Sequence, residues 1–205
     1  MSEGLSSARA EVAETALPGV VALWRCRIGP CILALVVCGV LAPPLRAGPP
    51  AVSEYDVKAA FLYNFVKFVE WPPGMAGASQ EPIVIGVLGH DPFGPVLDQT
   101  FAGKRLADRR FKVRRYRTAE ELQVCHMLFI SSAEQPGWDR VLKTLRGTPV
   151  VTVSDAKGFL KSGGIIELLL EDNKIRFDIN LSEAKASGLR ISAQLLQLAR
   201  KVDGK

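Results

Sequence analysis

The chain has 205 residues, of which 48% are hydrophobic and 23% are charged, and its formal net charge is +5. This composition is typical of a globular protein and excludes an intrinsically disordered or collagen-like chain. A chain of this length buries enough apolar surface to fold without disulfides or a structural metal, so we expect one domain.

The N-terminal part of the chain has the pattern of a secretory signal peptide. An apolar run, Cys31–Ala42, follows two arginines and precedes the small residue Ala47. The run is shorter than the roughly 20 apolar residues that a membrane-spanning helix needs. We therefore predict an N-terminal extension with a signal peptide over residues 1–47, cleaved near Ala47, and an exported domain over residues 48–205. An uncleaved inner-membrane anchor is the alternative.

The cysteines are distributed unevenly along the chain. Three of the four lie in the predicted signal segment, which leaves Cys125 alone in the exported domain. A domain with one cysteine cannot form an internal disulfide, even in an oxidising compartment. Because Cys125 begins an apolar run, we interpret it as a small buried side chain rather than as a reactive thiol.

The first predicted element of the exported domain is a helix over Ser53–Trp71. Its apolar side chains recur at steps of three and four residues, the spacing of one helical face: Val57, Phe61, Phe65 and Phe68. Ser53 is the predicted N-cap, and Pro72 ends the helix. We interpret the phenylalanines as core residues, whereas the polar tips of Tyr55, Tyr63 and Asn64 need water or a hydrogen-bond partner.

Three short apolar runs predict buried strands, and polar residues follow each of them. The strands are Ile83–Leu88, Cys125–Ile130 and Val150–Val153. A helix with Pro92 in its first turn is predicted after the first strand, and another helix over Pro136–Leu145. Arg110–Arg117 alternates apolar with charged side chains, which is typical of a half-exposed strand.

The last third of the chain predicts a hairpin and a helix. Ile165–Leu170 and Lys174–Ile179 flank a turn sequence, Glu-Asp-Asn, and so read as two antiparallel strands. A C-terminal helix is predicted from the helical spacing of Ile191, Leu195, Leu198 and Val202. Strands that alternate with helices and then end in a hairpin predict an α/β single-domain sandwich, with a partly parallel sheet, an antiparallel hairpin and helices on both faces.

Polar residues at the ends of the three buried strands predict a crevice. If these strands are parallel neighbours, their C-terminal ends meet at one edge of the sheet, which is where open α/β sheets bind ligands. The residues placed there are His90, Asp91, Ser131, Ser154 and Asp155, with Ser132 beside them. We predict that this edge is a candidate crevice for a ligand or a partner.

The chemistry available at this edge does not predict catalysis. A triad of Ser131, His90 and Asp155 could be assembled, as a secreted hydrolase would require, but no G-x-S-x-G motif is present and serines at strand ends commonly serve as turn or cap residues. One cysteine and two histidines cannot supply the four ligands of a structural zinc site. Phosphate-binding glycine motifs are also missing from the sequence. We predict no catalytic residue, metal or cofactor.

The positive charge of the exported domain is concentrated in one segment. Lys104–Arg117 holds eight basic residues and one acidic residue. An exported protein does not normally meet nucleic acid, so the candidates are an anionic membrane surface, an anionic ligand or an acidic partner. We name Arg110, Lys112 and Arg114 as the candidate partner surface. The alternative is that basic side chains on an exposed edge strand prevent edge-to-edge aggregation.

Seven blocks of the exported domain resemble, in order, those of the YfiR family. They are Glu54–Pro72, Ile85–Gly94, His126–Ser131, Val151–Phe159, Gly163–Leu169, Ile175–Ala184 and Leu189–Ala199. The resemblance implies a periplasmic, non-enzymatic α/β protein that represses a membrane-bound diguanylate cyclase by binding its periplasmic sensor domain, and that forms a homodimer. The paired cysteines of redox-controlled members have no counterpart beside Cys125. A periplasmic small-solute sensor or binding protein is the alternative function.

Overall fold

A computed structural model of the chain describes residues 53–76, 81–134 and 137–204. These residues belong to one compact unit, Ala51–Lys205. The predicted signal peptide and its cleavage position at Ala47 lie outside the described residues and stay predictions. Within the three described stretches, no helix combines the length and the apolarity that crossing a membrane requires.

Eight of the ten strands in the described part of the chain form one sheet. The strands are β1 (Val69–Glu70), β2 (Ile83–Leu88), β3 (Arg105–Leu106), β4 (Arg109–Tyr116), β5 (Met127–Ile130), β6 (Val151–Ser154), β7 (Ile166–Glu171), β8 (Lys174–Asn180), β9 (Arg190–Ile191) and β10 (Lys201–Asp203). The helices are α1 (Glu54–Phe68), α2 (Pro73–Ala76), α3 (Pro95–Phe101), α4 (Trp138–Leu145), α5 (Leu181–Ala186) and α6 (Ala193–Leu198). The short strands β1 and β9 pair separately from the main sheet.

The strand order of the main sheet is β10-β8-β7-β6-β5-β2-β4-β3. The central strands β4, β2, β5, β6 and β7 are parallel neighbours. The β7–β8 pair is an antiparallel hairpin that closes from Ile166↔Ile179 to Glu171↔Lys174. Its two loop residues, Asp172 and Asn173, have φ of 48° and 59°, the left-handed conformation that two-residue hairpin loops use. The predicted α/β fold with a partly parallel sheet and an antiparallel hairpin is confirmed.

The sheet carries a hydrophobic layer on each face, because alternate residues of a buried strand point to opposite sides. On one face, Ile83, Ile85 and Val87 of β2 pack in a core with side chains of α1 and α3. On the other face, Val84 and Leu88 pack in a second core with α4. The prediction of helices on both faces is therefore confirmed.

Helix α1 begins and ends for identifiable reasons. The hydroxyl of Ser53 accepts a hydrogen bond from the Asp56 N–H, and the Asp56 carboxylate accepts one from the Ser53 N–H, which is a capping box. The helix stops at Phe68, three residues before the predicted end, because the next two residues form β1 and pair with β9. Phe65 is fully buried, as the apolar stripe predicted.

The C-terminal helix prediction is wrong in its extent. Helix α6 spans only six residues and is followed by β10, which pairs in parallel with β8. Strand pairing with β8 determines the structure of these residues, in spite of their helical spacing in the sequence. The Arg200 N–H donates to the Phe177 carbonyl, and Val202 lies opposite Ile179. Tertiary context of this kind commonly outweighs a local helical pattern.

Two further helices differ from prediction. Helix α3 begins after Gly94, with Pro95 in its first turn, so the proline that starts it is three residues later than Pro92. The six-residue helix α5 was not predicted, although its N-cap is visible in the sequence: the Asn180 side-chain oxygen accepts a hydrogen bond from the Glu183 N–H.

Cys125 lies just before β5 and is 2% exposed. Burial raises the pKa of its thiol to about 12. A thiol that stays protonated is a weak nucleophile, so the environment agrees with the predicted role as a small buried side chain.

Candidate functional site

The candidate crevice residues do lie at the C-terminal ends of adjacent parallel strands β2, β5 and β6. Two of them, Ser154 and Ser131, make hydrogen bonds within the fold. The Ser154 hydroxyl is fully buried, donates to the Ile130 carbonyl (2.7 Å) and accepts from the Ala156 N–H (3.1 Å). The Ser131 hydroxyl accepts from the Ala133 N–H (3.4 Å). Both serines therefore stabilise the turns that leave their strands.

Asp91 is held by a backbone amide and by an arginine. Its carboxylate accepts a hydrogen bond from the Phe93 N–H (2.8 Å) and one from the Arg115 guanidinium (2.6 Å). Arg115 also pairs with Asp98 of α3, and the two carboxylates, Asp98 first, raise the pKa of the guanidinium. Asp91 thus links the loop after β2 to β4 directly and, through Arg115, to α3.

Aromatic side chains pack near the C-terminal ends of these strands. Phe93 is buried, with its ring 4.8 Å from that of Phe129 on β5 and 5.4 Å from that of Tyr55 on α1. His90 is exposed and has no hydrogen bond or ion pair to any residue in the described stretches. No side-chain hydrogen bond or ion pair in these stretches joins any two of the five predicted residues, and ligand binding by them stays a prediction.

Asp155 lies in a buried ionic cluster with the N-terminal turns of α1. The Lys58 ammonium donates to Asp155 Oδ2 (2.7 Å) and pairs with Glu54 (2.5 Å), and the Tyr55 hydroxyl donates to the same Asp155 oxygen (3.0 Å). The Lys58 and Asp155 side chains are only 4% and 7% exposed. Asp155 Oδ1 is buried and has no hydrogen-bond partner among the described residues.

The charges in this cluster are strongly coupled. Burial by itself would lower the pKa of Lys58, but its hydrogen bonds to Asp155 and Glu54 outweigh burial, so the pKa is raised. Burial and the neighbouring Asp155 raise the pKa of Tyr55. Lys58 is therefore a protonated hydrogen-bond donor at neutral pH.

A cleft of about 630 Å³ opens beside this cluster. Its lining joins Lys58 and Asp155 to residues of β7, β8 and β10, and it includes four leucines: Leu160, Leu168, Leu169 and Leu170. The Glu167 carboxylate accepts hydrogen bonds from the Gly158 and Leu160 N–H groups (both 3.2 Å) and so holds the loop at its rim. A mixed apolar and charged lining of this size suits a small polar molecule.

The hydrolase hypothesis finds no support in this geometry. It needs a hydrogen bond between the Ser131 hydroxyl and the His90 ring, and a carboxylate that orients that ring. The Ser131 hydroxyl is engaged by the Ala133 N–H instead, and Asp155 is engaged by Lys58. In the described part of the chain, no cluster of three His, Cys, Asp or Glu side chains suits a metal ion.

The sequence did not reveal Lys58 and Tyr55 as the partners of Asp155. A usable signal was present, because Lys58 lies four residues before Leu62 and seven before Phe65, which places a charge on the buried stripe of α1. A lysine on a buried stripe implies a buried carboxylate elsewhere.

The basic segment divides into a buried part and an exposed part. Arg109 is buried, and its guanidinium donates to the Glu81 carbonyl (2.7 Å) and lies 2.9 Å from His126 Nε2. Arg110 and Lys112 are exposed on β4 with no ion pair to a described acid, and half-buried Arg114 donates to the Gln123 amide oxygen. The three residues of the candidate partner surface therefore share one face of β4, and partner binding by them stays a prediction.

His126 makes the protein's stability depend on pH. Its Nδ1 accepts a hydrogen bond from the Val84 N–H (3.2 Å), which only the deprotonated nitrogen can do. Burial, and then the positive charge of Arg109, lower the pKa of the ring below its ordinary value of 6.5. The neutral ring therefore contributes stability above pH 6.5, and this contribution is lost as the pH falls toward the lowered pKa of the folded state.

We expect the free energy of unfolding to decrease between about pH 7 and pH 5, with a smaller decrease in the His126→Gln variant. Urea unfolding of both proteins at the two pH values measures the difference. Equal pH dependence in the two proteins would contradict a role for His126.

Comparison with known proteins gives a family and a fold. Residues 55–200 match the family model described as YfiR/HmsC-like (DUF4154). No curated protein is similar enough to the chain to count as a match. A conserved domain protein from Vibrio cholerae O1 biovar El Tor has a similar fold, with a TM-score of 0.50 and 11% identity over 74% of this chain and 60% of that chain.

A second solved structure, the ABC domain in complex with L-Trp from Streptococcus pneumonia, is similar with a TM-score of 0.43 and 11% identity, over 58% of this chain and 55% of that chain. The chain thus spans between 55% and 60% of the length of the two solved structures.

Proposed function

The chain belongs to the YfiR/HmsC-like family, and from this premise we propose that it is a periplasmic regulatory protein that represses a membrane-bound diguanylate cyclase by binding the cyclase's periplasmic sensor domain. The observation that carries the proposal is the family match, which extends over residues 55–200 and so includes both cores of the domain. The seven sequence blocks fall within or at the edge of the same range.

Repression of this kind requires binding and no chemistry. A protein that binds the inactive conformation of a sensor more tightly than the active one shifts the sensor toward the inactive state. A preference of about 5.5 kcal/mol converts a population that is nearly all active into one that is nearly all inactive. The engaged hydroxyls of Ser131 and Ser154 and the paired Asp155 support a binding role rather than a catalytic one.

The exposed basic face of β4 supports an acidic docking site on the partner. Arg110 and Lys112 have no carboxylate partner in the described part of the chain, so their charges are available to a second protein. Complementary charge of this kind increases the rate of association and selects the partner.

Deletion of the gene should raise cyclic di-GMP and biofilm formation, and expression of the wild-type protein should restore both to their original levels. The triple variant R110E/K112E/R114E should fail to restore them, because it reverses the charge of the candidate partner surface. A matched control, K143E/K185E/R190E, makes the same change in net charge at exposed positions elsewhere and should restore repression. Cyclic di-GMP measured by mass spectrometry in the four strains tests the proposal.

Unchanged cyclic di-GMP on deletion, across growth conditions, would overturn the proposed function. Equal restoration by the two triple variants would instead contradict a docking role for the basic residues. Prevention of edge-to-edge aggregation would then be their explanation.

The alternative function is a periplasmic small-solute sensor, and one observation favours it. The cleft of about 630 Å³ beside Lys58 and Asp155 has the size and the mixed lining of a small-molecule site. A thermal-shift screen of polar metabolites tests it, and a screen with no stabilising compound would count against it. The two functions are compatible if a solute in the cleft controls release of the partner.

A further inference from the structure

The outer edge of β4 is open. Strand β3 pairs with β4 only at Arg109 and Arg110, through Leu106↔Arg109 and Arg105↔Arg110. The remaining residues of β4, from Phe111 to Tyr116, have β2 on one side and no strand of the described chain on the other. An open edge presents unpaired backbone groups to which another strand can add.

The residues that present these groups can be identified from one hydrogen bond. The Gly89 N–H donates to the Tyr116 carbonyl (2.9 Å), so Tyr116 directs its backbone groups toward β2. In a parallel pair, alternate residues of a strand bond to the same neighbour. Phe111, Val113 and Arg115 therefore direct their N–H and C=O groups away from β2. The register of β3 places the Phe111 N–H opposite the Lys104 carbonyl, so Val113 and Arg115 are the residues whose outward groups have no strand beside them in the described chain.

A groove of about 440 Å³ runs beside this edge. Its apolar part is formed by Phe101 of α3 with Phe111 and Val113 of β4. The remaining wall comes from the end of α3 and from the loop that leads into β3, including Lys104. An added strand would place alternate side chains into this groove, where apolar residues fit the aromatic and aliphatic lining.

The other side chains of an added strand would meet positive charge. Lys112 and Arg114 alternate with Phe111 and Val113, so they lie on the opposite face of β4, while Arg110, beside β3, also lines the groove. Acidic residues at alternate positions of the added strand would lie across from them, and opposite charges across neighbouring strands are stabilising. A second copy of β4 in this place would bring like charges together, which disfavours self-pairing.

We propose that β4 binds an extended segment of a partner protein as an additional strand of the sheet, one in which acidic side chains alternate with apolar ones. The outward backbone groups of Val113 and Arg115 provide the hydrogen bonds, the groove takes the apolar side chains, and the basic face takes the acidic ones. This inference rests on the proposed function only in taking the occupant to be another protein.

Proline at Val113 tests the backbone part of the proposal. The Val113 N–H points outward, so its removal costs no hydrogen bond to β2, and proline is tolerated on edge strands at such positions. The probe is the peptide acetyl-EVEVEVE-amide, which has the required alternation. Its affinity for the full-length Val113→Pro variant should be about tenfold weaker than for the wild type, because one hydrogen bond is lost and the proline ring obstructs the approach of the strand.

Two control peptides and a second measurement complete the experiment. Acetyl-KVKVKVK-amide reverses the charge, and acetyl-EEVVEVE-amide keeps the composition while breaking the alternation; both should bind at least about tenfold more weakly than the probe. Amide exchange followed by NMR on the wild-type full-length chain should show slower exchange at Val113 and Arg115 when the probe is added, with little change at Lys112 and Arg114. This measurement does not depend on the folding of a variant.

Absence of probe binding, or binding without slower exchange at the outward amides of Val113 and Arg115, would overturn strand addition. Binding of the two control peptides as tightly as the probe would overturn the recognition of alternating acidic residues. Dimers formed through β4 would show protection of the same amides with rising protein concentration and no peptide, and would identify a second copy as the occupant. Gene deletion that leaves cyclic di-GMP unchanged, together with a positive peptide result, would reject the cyclase function and retain strand addition.

Discussion

Replacement of Lys58 by methionine is expected to lower the free energy of unfolding by about 3 kcal/mol, because it leaves Asp155 as an uncompensated buried charge. The ammonium of Lys58 lies 2.7 Å from Asp155 Oδ2, and burial leaves little water to replace it. Tyr55 would remain as a single neutral donor, and Oδ1 already lacks a partner among the described residues. Methionine keeps the length of the apolar stem, so the loss reports the charge and not a cavity.

Lys67→Met is the matched control for this variant, since Lys67 is an exposed lysine in the last turn of the same helix. It should change stability by less than about 0.5 kcal/mol. The double variant Lys58→Met with Asp155→Leu should recover most of the loss, because removal of both charges removes the unpaired group. Urea unfolding followed by circular dichroism measures all four proteins. A loss below about 1 kcal/mol for Lys58→Met would show that the pair is solvated.

Replacement of Phe129 by alanine is expected to lower the free energy of unfolding by about 3 to 5 kcal/mol. Phe129 is 0% exposed and lies on β5, in the middle of the parallel strands. Its ring packs against Phe93, which in turn contacts Tyr55, so the truncation leaves a cavity beneath the aromatic side chains at the strand ends. Phe93 and Tyr55 are each held in place by their own segment, so they cannot move in to fill this cavity.

The control is Leu198→Ala, at a leucine that is 66% exposed, and it should change stability by less than about 0.5 kcal/mol. Both variants are compared with the wild type by urea unfolding, which gives the midpoint concentration of urea and the slope of the free energy of unfolding against urea. A similar, small loss for the two variants would contradict the assignment of Phe129 to a close-packed core.

Much of the sheet could be predicted from the sequence because its strands carry strong local signals. The continuous apolar run of β2 predicted burial on both faces, and the turn sequence Glu171-Asp172-Asn173 predicted the hairpin, whose loop proper is Asp172 and Asn173. Alternation in β4 predicted a strand with one exposed face. In each case the residues near in sequence determine the structure.

What could not be predicted depends on contacts between distant residues. The partner of Asp155 is Lys58, which is 97 residues away in sequence, and no local pattern indicates that pairing. The aromatic contact between Phe93 and Tyr55 is of the same kind, since it joins the loop after β2 to α1. The C-terminal strand β10 took the place of the last turns of a predicted helix for a similar reason, since β8 supplies its hydrogen-bond partners.

The position of β10 at the edge of the sheet makes it part of the fold. A chain cut before Arg200 would lose the outer neighbour of β8, and the Asp178 carboxylate, which Arg200 neutralises, would lose its cation. Such a shortened chain should therefore be less stable than one that lacks an exposed loop of similar length.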